Sequence, residues 1–150
     1  MTDQATSELT TAERIADGVI KYRHLKANPS ALESLLKYKR VFSTLLFEFS
    51  VEVGRLYEQK NDTEFQRKAA FERGKKERKG EKVSMTQAEN ETLVEIEGLL
   101  QRESIADSEY KRGALMLQHA ENVFNSMVQD ISHLKAEKRA ETYGQGSQSG

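Results

Sequence analysis

The 150-residue chain contains no cysteine, which excludes disulfides, thiolate nucleophiles and cysteine-bound zinc or iron–sulfur clusters. It has one proline and no tryptophan, and long uninterrupted helices tolerate little proline. No apolar run approaches the length of a membrane span. The first ten residues, MTDQATSELT, lack the basic region and apolar stretch of a signal peptide. We therefore expect a cytoplasmic protein with no cofactor, no metal site and no membrane partner.

Composition favours an elongated or assembled helical protein over a compact one. Hydrophobic residues make up 37% of the chain and charged residues 31%, whereas typical globular domains have more of the former and fewer of the latter. The core of a compact monomer would therefore be thin. The formal net charge of −1 excludes a uniformly basic nucleic-acid coat, so any affinity for nucleic acid must come from a local patch.

Apolar residues recur at spacings of three and four over most of the chain, which predicts an all-α fold. The predicted helices span about 10–26, 29–73 and 86–141 within a single domain, 10–141, between a flexible N-terminus (1–9) and a disordered tail (142–150). The strings TTAE and TQAE at 10–13 and 86–89 have the form of capping boxes.

Two stretches complicate the helical pattern. Residues 47–53 (FEFSVEV) alternate as a strand would, but the helical period continues on both sides and no turn signal isolates them, so we predict helix. Residues 103–108 are mostly polar, which predicts a kink or register change within the third helix.

The second and third helices flank one loop, so the economical arrangement is a long antiparallel, coiled-coil-like helical hairpin with the first helix on its open end. The second helix carries apolar residues over a wider arc than a two-helix hairpin buries, which predicts a homo-oligomer. In the alternative, the first helix covers that arc. The predicted oligomer interface consists of Phe42, Leu45, Leu46, Phe49, Val53, Leu117, Phe124 and Ile131.

Catalytic motifs are missing from the sequence. His24, His119 and His133 form no ligand pair at a spacing of four, and no Glu-x-x-His occurs. The two glycines of residues 74–80 do not form a phosphate loop, and no serine lies in a nucleophile elbow. We therefore predict that the protein is not an enzyme.

Charge is strongly polarised along the chain. Residues 67–82, called the basic segment below, carry a net charge of +5, whereas residues 89–109 carry −6. The predicted nucleic-acid-binding residues are the eight cations of the basic segment: Arg67, Lys68, Arg73, Lys75, Lys76, Arg78, Lys79 and Lys82.

Three interpretations of this polarity remain open. The basic segment binds single-stranded DNA through its phosphates, with Tyr57, Phe65 or Phe71 stacking on bases. Alternatively, it is a solvated hairpin end whose charges only keep it soluble. In the third interpretation, basic and acidic faces pair between subunits. A sequence-specific DNA reader is disfavoured, because no helix-turn-helix or basic-zipper pattern is present.

The chain resembles the phage recombination mediators of the UvsY type over roughly 35–141. The resemblance is carried by Asp107 before a Tyr-led helix at Tyr110, by the string AENVF at 120–124, and by Ile131-x-x-Leu134-Lys135-x-Glu137. The basic, glycine-containing residues 73–82 lie where that family has its polar turn. The resemblance implies a small, all-helical oligomer that binds single-stranded DNA and helps a recombinase to displace the single-strand-binding protein. It implies DNA contacts at Lys75, Lys76, Arg78 and Lys79.

Two functions are therefore carried forward. In the first, the protein is a non-enzymatic, oligomeric accessory protein that binds single-stranded DNA, in the manner of a phage recombination mediator, with a recombinase or single-strand-binding protein as partner. In the second, it is a helical protein-interaction or scaffold module of a phage or mobile element and does not bind nucleic acid.

Overall fold

A computed structural model describes residues 9–27, 32–80 and 83–146, apart from the side chain of Gln145. The helices are α1 (Thr11–Lys26), α2 (Leu32–Arg78), α3 (Met85–Glu95) and α4 (Glu97–Gly146). The described ranges contain no strand, and the all-α prediction is confirmed, including helix through residues 47–53. No helix in these ranges is long and apolar enough to cross a membrane.

The ends of the first two helices follow local chemistry. α1 begins as predicted with a capping box: Thr10 Oγ1 accepts a hydrogen bond from Glu13 N, and Thr10 N donates to Glu13 Oε2 at 2.8 Å. The predicted start of the second helix at 29 lies outside the described residues. α2 ends at Arg78, five residues beyond the predicted end at 73. The helix continues through Gly74 because that glycine is a packing position and not a turn, as shown below.

The predicted third helix is two helices, separated at Ile96. The backbone of Ile96 leaves helical geometry, at φ −95° and ψ 12°, while residues 103–108, the predicted kink, are helical. Those polar residues continue the helix because two of them, Glu103 and Asp107, form ion pairs with α2. The N-cap of α3 is Ser84, whose Oγ accepts from Gln87 N, so the predicted cap at Thr86 is corrected by two residues.

α4 continues to Gly146, so residues 142–146 are helical where the sequence predicted a disordered tail. Residues 1–8 of the predicted flexible N-terminus and 147–150 of the predicted tail lie outside the described ranges.

The chain divides into two compact units where the sequence predicted one domain. Unit 1 comprises Met1–Val51 and Met116–Gly150, and unit 2 comprises Glu52–Leu115. α2 and α4 each contribute to both units.

The core of unit 1 joins α1, α2 and α4. Phe42 is fully buried and stacks on Phe124, with ring centroids 6.4 Å apart and planes 9° from parallel. The hydroxyl of Tyr38 donates to the carbonyl of Gly18 at 2.8 Å. Tyr22 donates to Asp130, and burial together with this carboxylate raises the pKa of Tyr22 well above its usual range. α1 is therefore joined to α2 and α4 by polar contacts as well as by apolar packing.

Most residues predicted to form an oligomer interface are buried within their own chain. Phe42, Leu45, Phe49, Val53 and Ile131 are buried, and Leu46, Leu117 and Phe124 are partly buried. The first helix supplies part of this cover, as the alternative arrangement required. Oligomer formation stays a prediction, and an oligomer of the chain as folded would need other apolar residues. Exposed ones on α2 of unit 1 are Val41, Phe47 and Val51.

In unit 2, α2 and α4 run antiparallel. Tyr57 packs against Tyr110, Lys60 pairs with Asp107 at 3.6 Å, and Arg67 pairs with Glu103 at 2.6 Å. Residue numbers rise along one helix as they fall along the other, as the hairpin prediction requires of this unit.

The ion pairs of Asp107 predict that the stability of unit 2 depends on pH. Hydrogen bonds and charge from Lys111 and Lys60 lower the pKa of Asp107 below its ordinary value of 3.8. A carboxylate with a lowered pKa in the folded state stabilises the protein above its unfolded pKa, and this contribution is lost as pH falls through the folded one.

We therefore expect Asp107→Asn to lower the free energy of unfolding at pH 7, with the difference from the unsubstituted chain disappearing as pH falls from about 4 towards 2. Urea unfolding followed by circular dichroism at both ends of this range measures it. Asp62→Asn is the matched control, because Asp62 is exposed and forms no ion pair with a described residue. An equal loss for Asp107→Asn at both pH values would contradict the prediction.

Candidate nucleic-acid interface

Residues 67–78 of the basic segment form the last three turns of α2, and α3 packs directly against them. Gly74 is buried on α2, and Thr92, fully buried on α3, faces it. A Cβ at position 74 would lie 2.5 Å from Thr92 Cγ2, closer than real Cβ atoms approach a neighbour. Only glycine therefore allows the two helices to approach this closely, which is why a helix-weakening residue stands inside α2.

The guanidinium of Arg78 is enclosed by α3. It donates to Thr92 Oγ1 at 2.9 Å and forms ion pairs with Glu91 at 3.3 Å and Glu95 at 3.0 Å. Thr92 Oγ1 in turn donates to the Ala88 carbonyl at 2.7 Å. Hydrogen bonds to the two carboxylates raise the pKa of Arg78. Arg78 therefore joins α2 to α3 through bonds within the chain, and its contact with DNA stays a prediction.

The Gly74–Thr92 contact predicts that Gly74→Ala destabilises the protein and that a second substitution, Thr92→Ser, restores part of the stability. Gly74→Ala is expected to lower the free energy of unfolding by about 1–2 kcal/mol, because overpacking costs about 1–3 kcal/mol and the gain in helix propensity returns up to about 1 kcal/mol. Adding Thr92→Ser removes the methyl group that the new Cβ meets and keeps the hydroxyl that Arg78 and Ala88 use. Chemical denaturation of the four chains of this double-mutant cycle measures the coupling.

Gly54→Ala is the matched control, because a Cβ there meets nothing within 4 Å. This variant should be neutral or slightly stabilising. If Gly74→Ala behaves as Gly54→Ala does, or if Thr92→Ser gives no rescue, the close contact does not limit the packing of α3.

Three further cations of the basic segment are also paired within the chain. Arg67 donates to Glu103 through Nε at 2.6 Å and Nη2 at 3.3 Å, which raises its pKa. Lys68 pairs with Glu64, one helical turn earlier. Lys75 pairs with Glu72 at 3.1 Å and lies 4.8 Å from the centre of the Phe71 ring. Together with Arg78, four of the eight predicted binding residues have carboxylate partners.

Three cations of the basic segment remain available to a ligand. Arg73, Lys76 and Lys79 are exposed and form no ion pair with any residue in the described ranges. Lys82, the eighth predicted residue, lies outside those ranges.

An exposed aromatic ring lies on the same side as two of the available cations, Lys76 and Lys79, and as the paired Lys68. Residues spaced by three, four, seven, eleven and fourteen along a helix lie on one side, and Lys68, Lys76 and Lys79 stand three, eleven and fourteen residues after Phe65. Phe65 is 73% exposed. We call Phe65, Lys68, Lys76 and Lys79, with the adjoining Arg73, the basic face.

The other two predicted stacking residues are already in contact with neighbours. Tyr57 packs against Tyr110 with ring centroids 5.3 Å apart, and the Phe71 ring lies beneath Lys75. Of the three aromatic residues, Phe65 presents the most open ring.

The acidic stretch, residues 89–109, supplies the carboxylate partners of two of the eight cations of the basic segment, Arg67 and Arg78. Glu91, Glu95 and Glu103 contact Arg78 or Arg67, and Asp107 contacts Lys60. These carboxylates pair with basic residues of their own chain, whereas the third interpretation paired such faces between subunits. The sequence did not lead us to predict the ion pairs of Glu64 with Lys68 and of Glu72 with Lys75, although spacings of four and three are typical of ion pairs along a helix.

His24, His119 and His133 belong to unit 1, and each is exposed. Within the described residues, no group of three or more histidine, aspartate or glutamate side chains is arranged to hold a metal ion.

No family model, no curated protein and no solved structure matches the chain.

Proposed function

We propose that the protein is a non-enzymatic accessory protein that binds single-stranded DNA through the basic face of α2. The observation that carries this proposal is the combination of an open ring, Phe65, with the available cations Arg73 and Lys76 on the last turns of α2 and Lys79 directly after its end. Stacking on a ring tolerates any base, and cations bind the phosphates of any sequence. A single strand presents both chemistries at once, whereas a duplex keeps its bases stacked internally.

The helix geometry suits a single strand. Phe65 and Lys79 are fourteen residues apart, which is about 21 Å at 1.5 Å per residue. A strand following this face could stack one base on Phe65 and place successive phosphates against Arg73, Lys76 and Lys79. The protein supplies position and charge and performs no chemistry on the strand.

Several basic faces in one assembly would strengthen modest single contacts. If copies of the chain associate, the second contact with one strand becomes intramolecular, so overall affinity exceeds that of each face. Such an assembly could organise a strand for a recombinase and displace a single-strand-binding protein, as in the phage recombination mediators that the sequence resembles. The mediator role and the oligomer are parts of the proposal.

The salt dependence of binding tests which cations meet the strand. We expect fluorescein-labelled oligo(dT) to bind at low salt, with log K falling against log salt concentration at a slope of about −2 per chain for the three available cations, at about −0.7 per neutralised phosphate. Engagement of the seven described cations would give a slope of about −5. Fluorescence anisotropy over a salt series measures the slope, and light scattering on the same samples gives the number of chains bound.

Each outcome of this titration is informative. A slope near −2 supports the basic face as the binding surface. A slope near −5 shows that the ion pairs of Arg67 and Arg78 open on binding and contradicts the division between paired and available cations. No binding at low salt, or binding indifferent to salt, refutes the proposed function.

A different observation favours a protein-interaction module as the second candidate. Phe47 is 69% exposed, and Val41 and Val51 on the same helix are also exposed. Apolar residues so placed are costly to leave in water. Under this alternative, Phe47→Ser removes association with the partner, and neither this variant nor the unsubstituted chain binds oligo(dT). The alternative gains support if an assembly forms that nucleic acid does not affect.

A further inference from the structure

A small concavity adjoins the basic face in unit 2, between the end of α2 and the start of α3. Its volume is about 190 Å³, and its walls differ in character. Val83, Met85 and Ala88 supply an apolar wall, while Lys75, Lys76 and Lys79 supply cations. Two of these lysines also belong to the available cations of the basic segment, so a ligand on the basic face would pass the mouth of this concavity.

The apolar wall ends in an exposed thioether. Met85 is the first residue of α3 and is 65% exposed, although its side chain is among the larger apolar ones of unit 2. Methionine is flexible and polarisable, and its sulfur makes favourable contacts with aromatic rings. Such a side chain beside a small cavity suits a flat, unsaturated ligand better than it suits water.

The charged wall adds a second requirement. Lys76 and Lys79 have no carboxylate partner among the described residues, whereas Arg78, which also lines the cavity, is held by Glu91 and Glu95. Glu72 brings one negative charge, which Lys75 partly neutralises at 3.1 Å. The cavity therefore favours a ligand that is aromatic at one end and anionic at the other, which is the chemistry of a nucleotide.

We infer that this cavity is a base-binding subsite. It receives one nucleobase of the strand, against Met85 and Val83, while the phosphates on either side of that base contact Lys76 and Lys79. The inference rests on the proposed function, since it concerns a strand already held by the basic face. It assigns the start of α3 a direct part in binding, although α3 carries no basic residue.

Abasic DNA separates base contacts from phosphate contacts. The test compares oligo(dT) with an oligomer of equal length made of abasic deoxyribose phosphate, for the unsubstituted chain and for Met85→Ser. We expect Met85→Ser to weaken oligo(dT) binding by about three- to tenfold, a fraction of the effect of removing a full aromatic stack, and to leave binding of the abasic oligomer unchanged. Val94→Ser is the matched control, because Val94 is an apolar residue of α3 that is 75% exposed and outside the cavity.

Three outcomes overturn the inference while the proposed function stands. In the first, Met85→Ser changes the affinity for neither oligomer. In the second, it weakens binding of both equally. In the third, its effect is no larger than that of Val94→Ser. If Phe65→Ala removes the difference in affinity between oligo(dT) and the abasic oligomer, and Met85→Ser does not change it, the base lies on the Phe65 ring instead. Failure of the unsubstituted chain to bind either oligomer at low salt refutes the proposed function itself.

A second measurement does not depend on a variant that folds. The methyl resonance of Met85, assigned in the unsubstituted chain, should shift on titration with oligo(dT) and stay in place with the abasic oligomer, because the ring current of a base acts only at short range. Shifts of equal size with both oligomers, or no shift with oligo(dT) at saturation, overturn the inference.

Discussion

Replacing Arg73, Lys76 and Lys79 together with glutamate is expected to lower the affinity for oligo(dT) at least about 100-fold and to leave the helical content unchanged. The three side chains are exposed and make no ion pair with a described residue, so the substitution breaks no contact that holds the fold. It removes the cations that release counterions from the strand and adds repulsion between like charges. Anisotropy with labelled oligo(dT), beside circular dichroism of the same samples, measures both effects.

The matched control changes the same amount of charge elsewhere. Lys135, Lys138 and Arg139 are exposed residues of α4 in unit 1, and replacing them with glutamate gives an identical net charge. We expect little loss of affinity from this variant. A similar loss in both variants would show that binding follows overall charge and has no defined surface. Binding unchanged by the first variant would move the interface away from α2.

A third variant distinguishes the available cations from the paired ones. Arg78→Gln removes the ion pairs with Glu91 and Glu95 that hold α3 against α2. We expect it to lower the free energy of unfolding, while its direct effect on affinity remains smaller than that of the triple variant. If Arg78→Gln leaves stability unchanged and abolishes binding, its role is contact with DNA, as the sequence predicted.

Phe42→Ala is expected to lower the free energy of unfolding by about 3–5 kcal/mol, the range for removing a fully buried phenyl ring. Phe42 is 0% exposed, stacks on Phe124 and contacts Tyr38 with ring centroids 6.4 Å apart. The substitution therefore leaves a cavity where α1, α2 and α4 meet. Guanidinium unfolding followed by circular dichroism, at two protein concentrations tenfold apart, measures the loss.

Concentration dependence separates an intrachain role from an interface role. If Phe42 packs inside its own chain, the loss is the same at both concentrations, and any oligomer keeps its subunit number. If Phe42 forms an oligomer interface, as the sequence predicted, the loss grows on dilution and light scattering shows dissociation. Phe47→Ala is the matched control, because the same ring is removed from a position that is 69% exposed, and its unfolding should change little.

Local sequence signals predicted the helices well and their partners poorly. The TTAE string specified the start of α1 because Thr10 Oγ1 accepts a hydrogen bond from Glu13 N while the Glu13 carboxylate accepts one from Thr10 N. The helical spacing of apolar residues correctly predicted helix at residues 47–53, although these residues also alternate as a strand would. The exposed set Arg73, Lys76 and Lys79 lay within the predicted binding residues. Local spacing to a glutamate indicates ion pairs for Lys68 and Lys75, but no local signal shows that Arg67 and Arg78 are paired.

Long-range contacts decided what the local signals could not. Residues 103–108 have a polar pattern that weakens an isolated helix, but the partners of Glu103 and Asp107 lie 36 and 47 positions earlier, at Arg67 and Lys60. Gly74 in a charged run resembles a turn until Thr92 is placed against it. Whether the apolar arc of α2 is covered by another copy or by α1 depends on tertiary packing, which periodicity does not encode.

α3 is separated from α4 at Ile96, so hydrogen exchange in α3 can report local opening of its contact with the end of α2. An isolated helix of eleven residues is marginal in water, so α3 stays helical because of Thr92 against Gly74 and the bonds of Arg78. Its amide hydrogens should therefore exchange with solvent deuterium as one group whenever that contact opens, without unfolding of the longer helices. Exchange rates over residues 85–95 thus measure directly how firmly the proposed base-binding wall is held, with or without a bound strand.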